Sequence, residues 1–181
     1  MRLTHLQSNN AGLGLELEEE LEALGRASSG LRSAIYDLRH ERVSSFVESI
    51  ESLVELNRRL MPECVVALTI GESFKGALPP EVGVELLRVL TEALANVRRH
   101  SAARNVEVTL RNEGETLVAE VTDDGRGFDP MVVRGGVGLV GMRERVEGLG
   151  GEIEVRSRPG EGTRVIVMVP SGGGTPAPRR L

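Results

Sequence analysis

Two pairs of extended segments in this 181-residue chain are joined by turns too short to hold a helix, which restricts the folds open to it. Residues 105–111 and 116–122 flank Asn112-Glu113-Gly114-Glu115, and Val106, Val108 and Leu110 repeat at the two-residue period of a half-buried strand. Residues 152–158 and 163–169 flank Pro159-Gly160-Glu161-Gly162 in the same way. A doubly wound parallel sheet needs a helix between successive strands, and these two hairpins have none. The apolar run 64–70 predicts a further strand. Helical spacing predicts a helix over 81–100, with Val82, Leu86, Leu90, Ala93, Leu94 and Val97 on its apolar face. Another helix is predicted over 139–149, stopped by Gly150-Gly151. The expected fold class is α+β, a two-layer α/β sandwich with a mixed, largely antiparallel sheet.

The preceding part of the chain, residues 17–60, is helical in pattern and ends at Met61-Pro62. Leu17, Leu21, Leu24, Ser28, Leu31, Ile35 and Leu38 alternate spacings of four and three, a narrow seam of the coiled-coil or bundle kind. Such a seam is expected to form a homodimer. Gly25 and Gly30 weaken it and predict a break near Ser28-Ser29-Gly30. It restarts as Val43, Phe46, Ile50, Leu53, Asn57 and Leu60, a stretch expected to pack on the following domain. The expected organisation is dimerisation helices in 1–41, a folded domain in 42–170 and a disordered tail in 171–181, rich in Gly and Pro.

Composition excludes several functions. A net charge of −5 leaves no basic excess for a nucleic acid or an anionic membrane surface, and four aromatic residues provide no base-stacking platform. The single cysteine, Cys64, is expected to be a buried strand residue. No apolar run reaches the length of a membrane span and no signal-peptide pattern opens the chain. The expected location is cytoplasmic, either as a soluble protein or as the cytoplasmic part of a larger membrane-bound sensor.

Chemistry concentrates in three places. Asp123-Asp124-Gly125-Arg126-Gly127 sets a carboxylate beside glycines, suited to accept from an exocyclic amino group while backbone N–H groups approach anionic oxygens. Gly135-Gly136-Val137-Gly138-Leu139-Val140-Gly141 then opens a helix, whose N-terminus favours phosphate. Glu92 and Asn96, spaced i, i+4, project from one side of helix 81–100 with Arg99, followed by His100. Hard oxygen ligands and a guanidinium in a row suit a Mg2+–triphosphate. Taken alone, that stripe also reads as a solvated helix face. The string Gly136-x-Gly-x-x-Gly141 fits a dinucleotide fingerprint only in a βαβ unit, a context that the short preceding loop and the following hairpin do not supply.

These motifs, in this order, resemble the GHKL-type ATPases in the version found in sensor histidine kinases. Residues 92–100 (Glu92-Ala93-Leu94-Ala95-Asn96-Val97-Arg98-Arg99-His100) resemble the N box. Asp123-Asp124-Gly125-Arg126-Gly127-Phe128 is similar to the first glycine box, residues 136–145 to the second, and Gly160-Glu161-Gly162-Thr163 to the late G-x-G-T element. The form Gly138-Leu139-Val140-Gly141-Met142-Arg143-Glu144-Arg145 resembles kinases paired with response regulators whose outputs are LuxR-type helix-turn-helix domains. Leu31-Arg32 with Ile35-Tyr36-Asp37-Leu38-Arg39 resembles the end of their second dimerisation helix.

The resemblance implies a cofactor set of ATP and Mg2+ and assigns roles. Asp123 would accept from adenine N6, and Gly125 and Gly127 would shape its loop. Asn96 would ligate Mg2+, and Arg99 with His100 would contact phosphates, although His100 equally suits a structural role at the helix C-terminus. Glu92 would orient or deprotonate the attacking group. Gly136, Gly138, Leu139 and Gly141, at the start of the next helix, would lie by the phosphates, and Thr163 would bring a hydroxyl near the nucleotide. Residues 128–135 would form a mobile ATP lid. The acceptor-histidine signature of this subfamily has no counterpart here, since His5 lacks an acidic neighbour and His40 falls at the far end of the second helix. The expectation is a fragment that binds ATP and phosphorylates itself poorly. A serine kinase of the anti-sigma-factor type and a non-catalytic ATP-sensing module remain open alternatives.

Overall fold

The computed structural model describes residues 46–76, 78–129 and 137–172, all within one compact unit, Ser44–Leu181. Helix α1 (Phe46–Leu60) carries Glu48 in its first turn and Arg58 and Arg59 in its last, which complements the helix dipole. The expected seam faces inward through Ile50, Leu53 and Asn57, whereas Leu60 at its end is exposed. Asn57 can be buried because its amide is satisfied. Nδ2 donates to Leu53 O at 2.9 Å, and Oδ1 accepts from Arg98 Nη1 at 3.3 Å. The earlier seam over 17–38, the break near Gly30 and most of the tail fall outside the described residues.

Strand β1 (Val65–Ile70) leads through Pro79 into helix α2 (Pro80–Asn96), where Pro at the first turn forfeits no hydrogen bond. A single π-helical turn, Val97–Ser101, extends α2, and Ala102 then adopts a left-handed conformation (φ 52°) that ends it. The helix expected over 81–100 is thus α-helical only to Asn96. Strands β2 (Asn105–Glu113) and β3 (Thr116–Asp123) form the first hairpin, tightened to a two-residue turn with Gly114 at φ 63°. Helix α3 (Val137–Gly148) precedes the second hairpin, β4 (Glu152–Ser157) and β5 (Thr163–Pro170). Cys64 lies one residue before β1 and is only half-buried, so it is not the buried strand residue expected from its apolar neighbours.

The sheet order is β1-β2-β3-β5-β4. Only β1 and β2 are parallel, joined through α2, and the other three pairings are antiparallel. The mixed sheet is the one the two hairpins predicted. Its inward rows follow from the register: Val108 opposes Val121, which opposes Val165, and Leu110, Ala119 and Val167 form the next row. Leu86, Leu90 and Leu94 of α2 are almost completely enclosed over these rows. Each such burial contributes roughly 1.5–3 kcal/mol. Central β3 is also buried on its outer face, where Glu120 accepts two hydrogen bonds from Arg164 (2.6 and 2.8 Å) and one from Thr122 (2.9 Å). Among the described residues, no helix is long and apolar enough to cross a membrane.

Candidate functional site

Glu92 and Asn96 project, half-buried, from the last turns of α2. Among the described residues neither side chain has a hydrogen-bond or ion-pair partner, so both polar heads are available to a ligand. The π turn alters the end of this helix. Its wider winding turns the backbone of Ser101 toward the first glycine motif, while Arg99 and His100 stay exposed. Arg126 N donates to Ser101 O at 2.7 Å. A Cβ on Gly125 would lie 2.3 Å from that same oxygen, so only glycine allows the loop to dock here.

The two adjacent aspartates part company in this loop. Asp124 is exposed and occupied: Oδ1 accepts from Arg104 N and Asn105 N, each at 2.8 Å, and Oδ2 accepts from Asn105 Nδ2 at 2.7 Å. The Asn105 side chain and these backbone N–H groups hold its carboxyl below the usual range. Asp123 is buried at the inner end of β3, with Gly125 N donating to Oδ1 at 2.9 Å. Burial pushes its carboxyl above the usual range, with the Asp124 charge adding to the effect and the Gly125 and Thr163 N–H groups opposing it. Asp124 therefore staples the loop to β2, and Asp123 keeps acceptor capacity.

Across the sheet, Asp123 is paired with Thr163, and Thr163 with Ser157. Three side chains of one row thus line the end of the sheet. A groove of about 510 Å3 opens at this sheet end, lined by Asp123, Ser157 and Thr163 and also by Thr122, Arg156 and Arg164 of the adjacent row; Glu92 and Asn96 are not among its lining residues. The five-residue connection 158–162 sets this row. The four-residue turn read from the sequence would have paired Arg158 with Thr163 and turned Ser157 to the opposite face. Gly127 (φ 57°) packs against the carbonyls of Arg158 and Gly162, and Gly162 (φ 76°) packs against Asp123 O. The first glycine motif and the G-x-G-T turn therefore form one interlocked unit.

The second glycine motif reaches α2 from the other side. A Cβ on Gly138 would fall 2.3 Å from Glu92 Oε1, which places the start of α3 directly on that carboxylate. Leu139 is half-buried, Gly141 has open space where a Cβ would be, and Gly136 lies outside the described residues, as does most of the segment expected to be a lid. Farther along, Arg145 Nη1 meets Glu85 Oε2 at 2.9 Å, tying α3 to α2.

The two motifs thus touch the same helical segment at Glu92 and, beyond the π turn, at Ser101, with Asn96 between them in sequence. Among the described residues, Arg99 and His100 show no contact that draws them toward either motif. Ser101 and Ser157 organise the site and escaped the sequence reading because they carry no charge or glycine signature, whereas Asp124 was read within its motif but given no role of its own. Among the described residues no group of three His, Cys, Asp or Glu side chains converges as a metal cage. An amide and a carboxylate without partners suit a cation that takes most of its ligands from a bound phosphate chain and water.

Residues 81–173 match the family described as histidine kinase-, DNA gyrase B- and HSP90-like ATPase. The chain is 32% identical over 142 residues to the signal transduction histidine-protein kinase/phosphatase DegS of Brevibacillus brevis, covering 77% of this chain and 36% of that protein. It is 27% identical over 164 residues to an uncharacterized sensor-like histidine kinase of Chloroflexus aurantiacus, covering 86% of this chain and 28% of that protein. The chain thus spans about a third of the length of these relatives. Among solved structures, the histidine kinase domain of a blue-light activated kinase from Erythrobacter litoralis superposes with a TM-score of 0.55 at 25% identity, over 66% of this chain and 59% of that one. The Acinetobacter baumannii histidine kinase AdeS shares the fold with a TM-score of 0.61 at 16% identity, over 93% of this chain and 94% of its own. With both glycine motifs seated on one helix and a buried aspartate at the sheet end, the chain belongs to the histidine kinase-, DNA gyrase B- and HSP90-like ATPase family.

Proposed function

We propose that this domain binds ATP with Mg2+ and transfers the γ-phosphoryl group to a histidine on a dimerisation helix, from which it passes to a response regulator. The observation that supports this reading most directly is the buried, partly unsatisfied Asp123 carboxylate in one row with Thr163, at the end of the groove. An acceptor in that position suits the amino group of adenine and repels the carbonyl of guanine. Gly125 and Gly127 hold the loop close enough for this contact, and Gly138, with the first turn of α3, offers backbone N–H groups to the phosphates. Gly136 and Gly141 belong to the same proposed phosphate cradle, and Arg99 with His100 adds positive charge at its solvent side.

Asn96 would hold Mg2+ through its amide oxygen. When bound, the ion would supply positive charge to offset that of the phosphates. Glu92, pressed against Gly138, faces the same end of the site. An acceptor imidazole nitrogen attacks the γ-phosphorus, the bond to the β–γ bridging oxygen breaks, and that oxygen leaves with the electron pair on ADP. Glu92 orients the imidazole through its other N–H and takes up the proton released. Neither His5 nor His40 sits in an acceptor-like sequence, so transfer is read out on a separately supplied acceptor helix. The N-terminal helices are proposed to form a homodimer. The regulator is proposed to carry a helix-turn-helix output, a reading supported by the Gly138–Arg145 motif.

The reading is tested with a separately supplied acceptor helix. Asp123→Asn is expected to abolish ATP binding, whereas Glu92→Gln keeps binding and stops transfer. Unchanged transfer in Glu92→Gln removes Glu92 from this role, and phosphate on a serine of a partner replaces histidine as the acceptor.

A further inference from the structure

Ser157 Oγ stands at the junction of three elements of the groove. It lies 2.8 Å from Gly162 O, 2.9 Å from Phe128 N and 3.0 Å from Thr163 Oγ1. The protons can be assigned by counting. A hydroxyl has one proton and two acceptor lone pairs. Gly162 O accepts only, so the Ser157 proton goes there. Phe128 N–H donates only, so it uses one Ser157 lone pair. The remaining contact is then a hydrogen bond in which Thr163 Oγ1 donates to Ser157. With its proton committed, Thr163 presents only lone pairs to the rest of the groove, beside the Asp123 carboxylate of the same row.

We propose that Ser157 is a positioning residue for base selection: by capturing the Thr163 proton it makes the Asp123–Thr163 row an all-acceptor surface that favours an amino group and disfavours a carbonyl. The proposal rests on the nucleotide assignment of this groove and adds to it a residue that need not touch the nucleotide. Asp123 alone provides one acceptor. Ser157 turns an ambivalent neighbour, which could rotate to satisfy either base, into a second.

The test compares dissociation constants for ATP and inosine triphosphate, both with Mg2+, in the intact chain. Inosine differs at the decisive position by carrying a carbonyl. In Ser157→Ala the Thr163 hydroxyl is free to donate, and the preference for ATP is expected to fall about two- to tenfold, the worth of one hydrogen bond. Ser157→Thr, which retains a hydroxyl, is expected to keep the wild-type ratio. In a Thr163→Val background, Ser157→Ala is expected to leave the ratio unchanged, a result that general loosening of the hairpin does not produce. Should Ser157→Ala fail to fold, Ser157→Cys, with its weak donor and acceptor, carries the same expectation of reduced preference. A wild-type ratio in Ser157→Ala, or an equal loss in both backgrounds, overturns the proposal. If Asp123→Asn removes the ATP preference while Ser157→Ala does not, only this inference fails. If the wild type binds neither nucleotide, the nucleotide assignment itself fails.

Discussion

Replacing Gly138 by alanine should separate catalysis from stability. The added Cβ would sit 2.3 Å from Glu92 Oε1, 3.2 Å from Cδ and 3.5 Å from Cγ, and no backbone atom is among these contacts. Restoring ordinary van der Waals distance requires the carboxylate to retreat by roughly 1 Å. It can do so cheaply, because Glu92 is half-buried and has no partner among the described residues to hold it. The fold loses little, and the gain of alanine over glycine in a helix, about 0.5–1 kcal/mol, offsets the strain. Catalysis is less forgiving. A misplacement of about 1 Å in a catalytic group costs on the order of a hundredfold in rate, equivalent to about 2.7 kcal/mol of barrier. Thermal unfolding should therefore change by no more than a few degrees, while phosphoryl transfer to a supplied acceptor helix drops about a hundredfold at saturating ATP. In a Glu92→Gln background Gly138→Ala should add little further loss. Full transfer activity in Gly138→Ala would refute the claim that the Gly138 contact sets the Glu92 position. A large loss of stability would refute the claim that the contact yields at a side chain.

Glycines of neighbouring motifs should respond differently to the same change. Gly162→Ala puts a Cβ 2.0 Å from Asp123 O at φ 76°, so backbone must move, and calorimetry should show a loss of about 2–5 kcal/mol from strain and overpacking together. Gly141→Ala meets nothing within 4 Å, and the ligand-free protein should gain about 0.5–1 kcal/mol, raising its melting temperature. Acid should remove ATP binding before it unfolds the domain. Asp123 is raised, chiefly by burial, so it takes up its proton, and loses acceptor capacity, as pH falls through a value above the usual carboxylate range. Its own linkage to folding has the opposite sign: the raised group binds its proton more tightly when folded, so protonation adds stability in that window. Asp124 is lowered by its hydrogen bonds from Asn105 and Arg104. Glu120 is also lowered, because its bonds from Arg164 and Thr122 and the charges of Arg164 and Arg111 outweigh the effect of burial. The stability these two supply is present above the usual carboxylate range and is lost only as pH falls through their lowered values. Parallel titrations of ATP affinity and thermal unfolding check the order, and coincident losses would contradict it.

Local pattern was enough to show the kind of fold. Two helix-free hairpins excluded a doubly wound sheet, and the apolar period of residues 81–100 identified the face of α2 that became the core. The buried seam of α1 was legible at Ile50, Leu53 and Asn57 for the same reason: alternation and periodicity are properties of neighbours along the chain. The motifs named Asp123 and the glycines by spacing alone. Their proposed roles, and the contacts of Arg99 and His100, are matters for the nucleotide-binding and transfer experiments.

What local pattern could not decide was anything requiring two distant segments to meet. Asp123 and Asp124 are chemically alike in sequence, and only docking against Arg104 and Asn105 made one a staple and left the other an acceptor. The π turn after Asn96 arises where α2 must present Ser101 to a loop some 25 residues later, a demand invisible in the helical period. Ser157 joined Thr163 because the connecting turn took five residues rather than four, and a one-residue slip in a strand exchanges its faces. Side-chain periodicity is written along the chain, whereas register and long-range hydrogen bonding are settled only when the elements pack, and the candidate site is built from the latter.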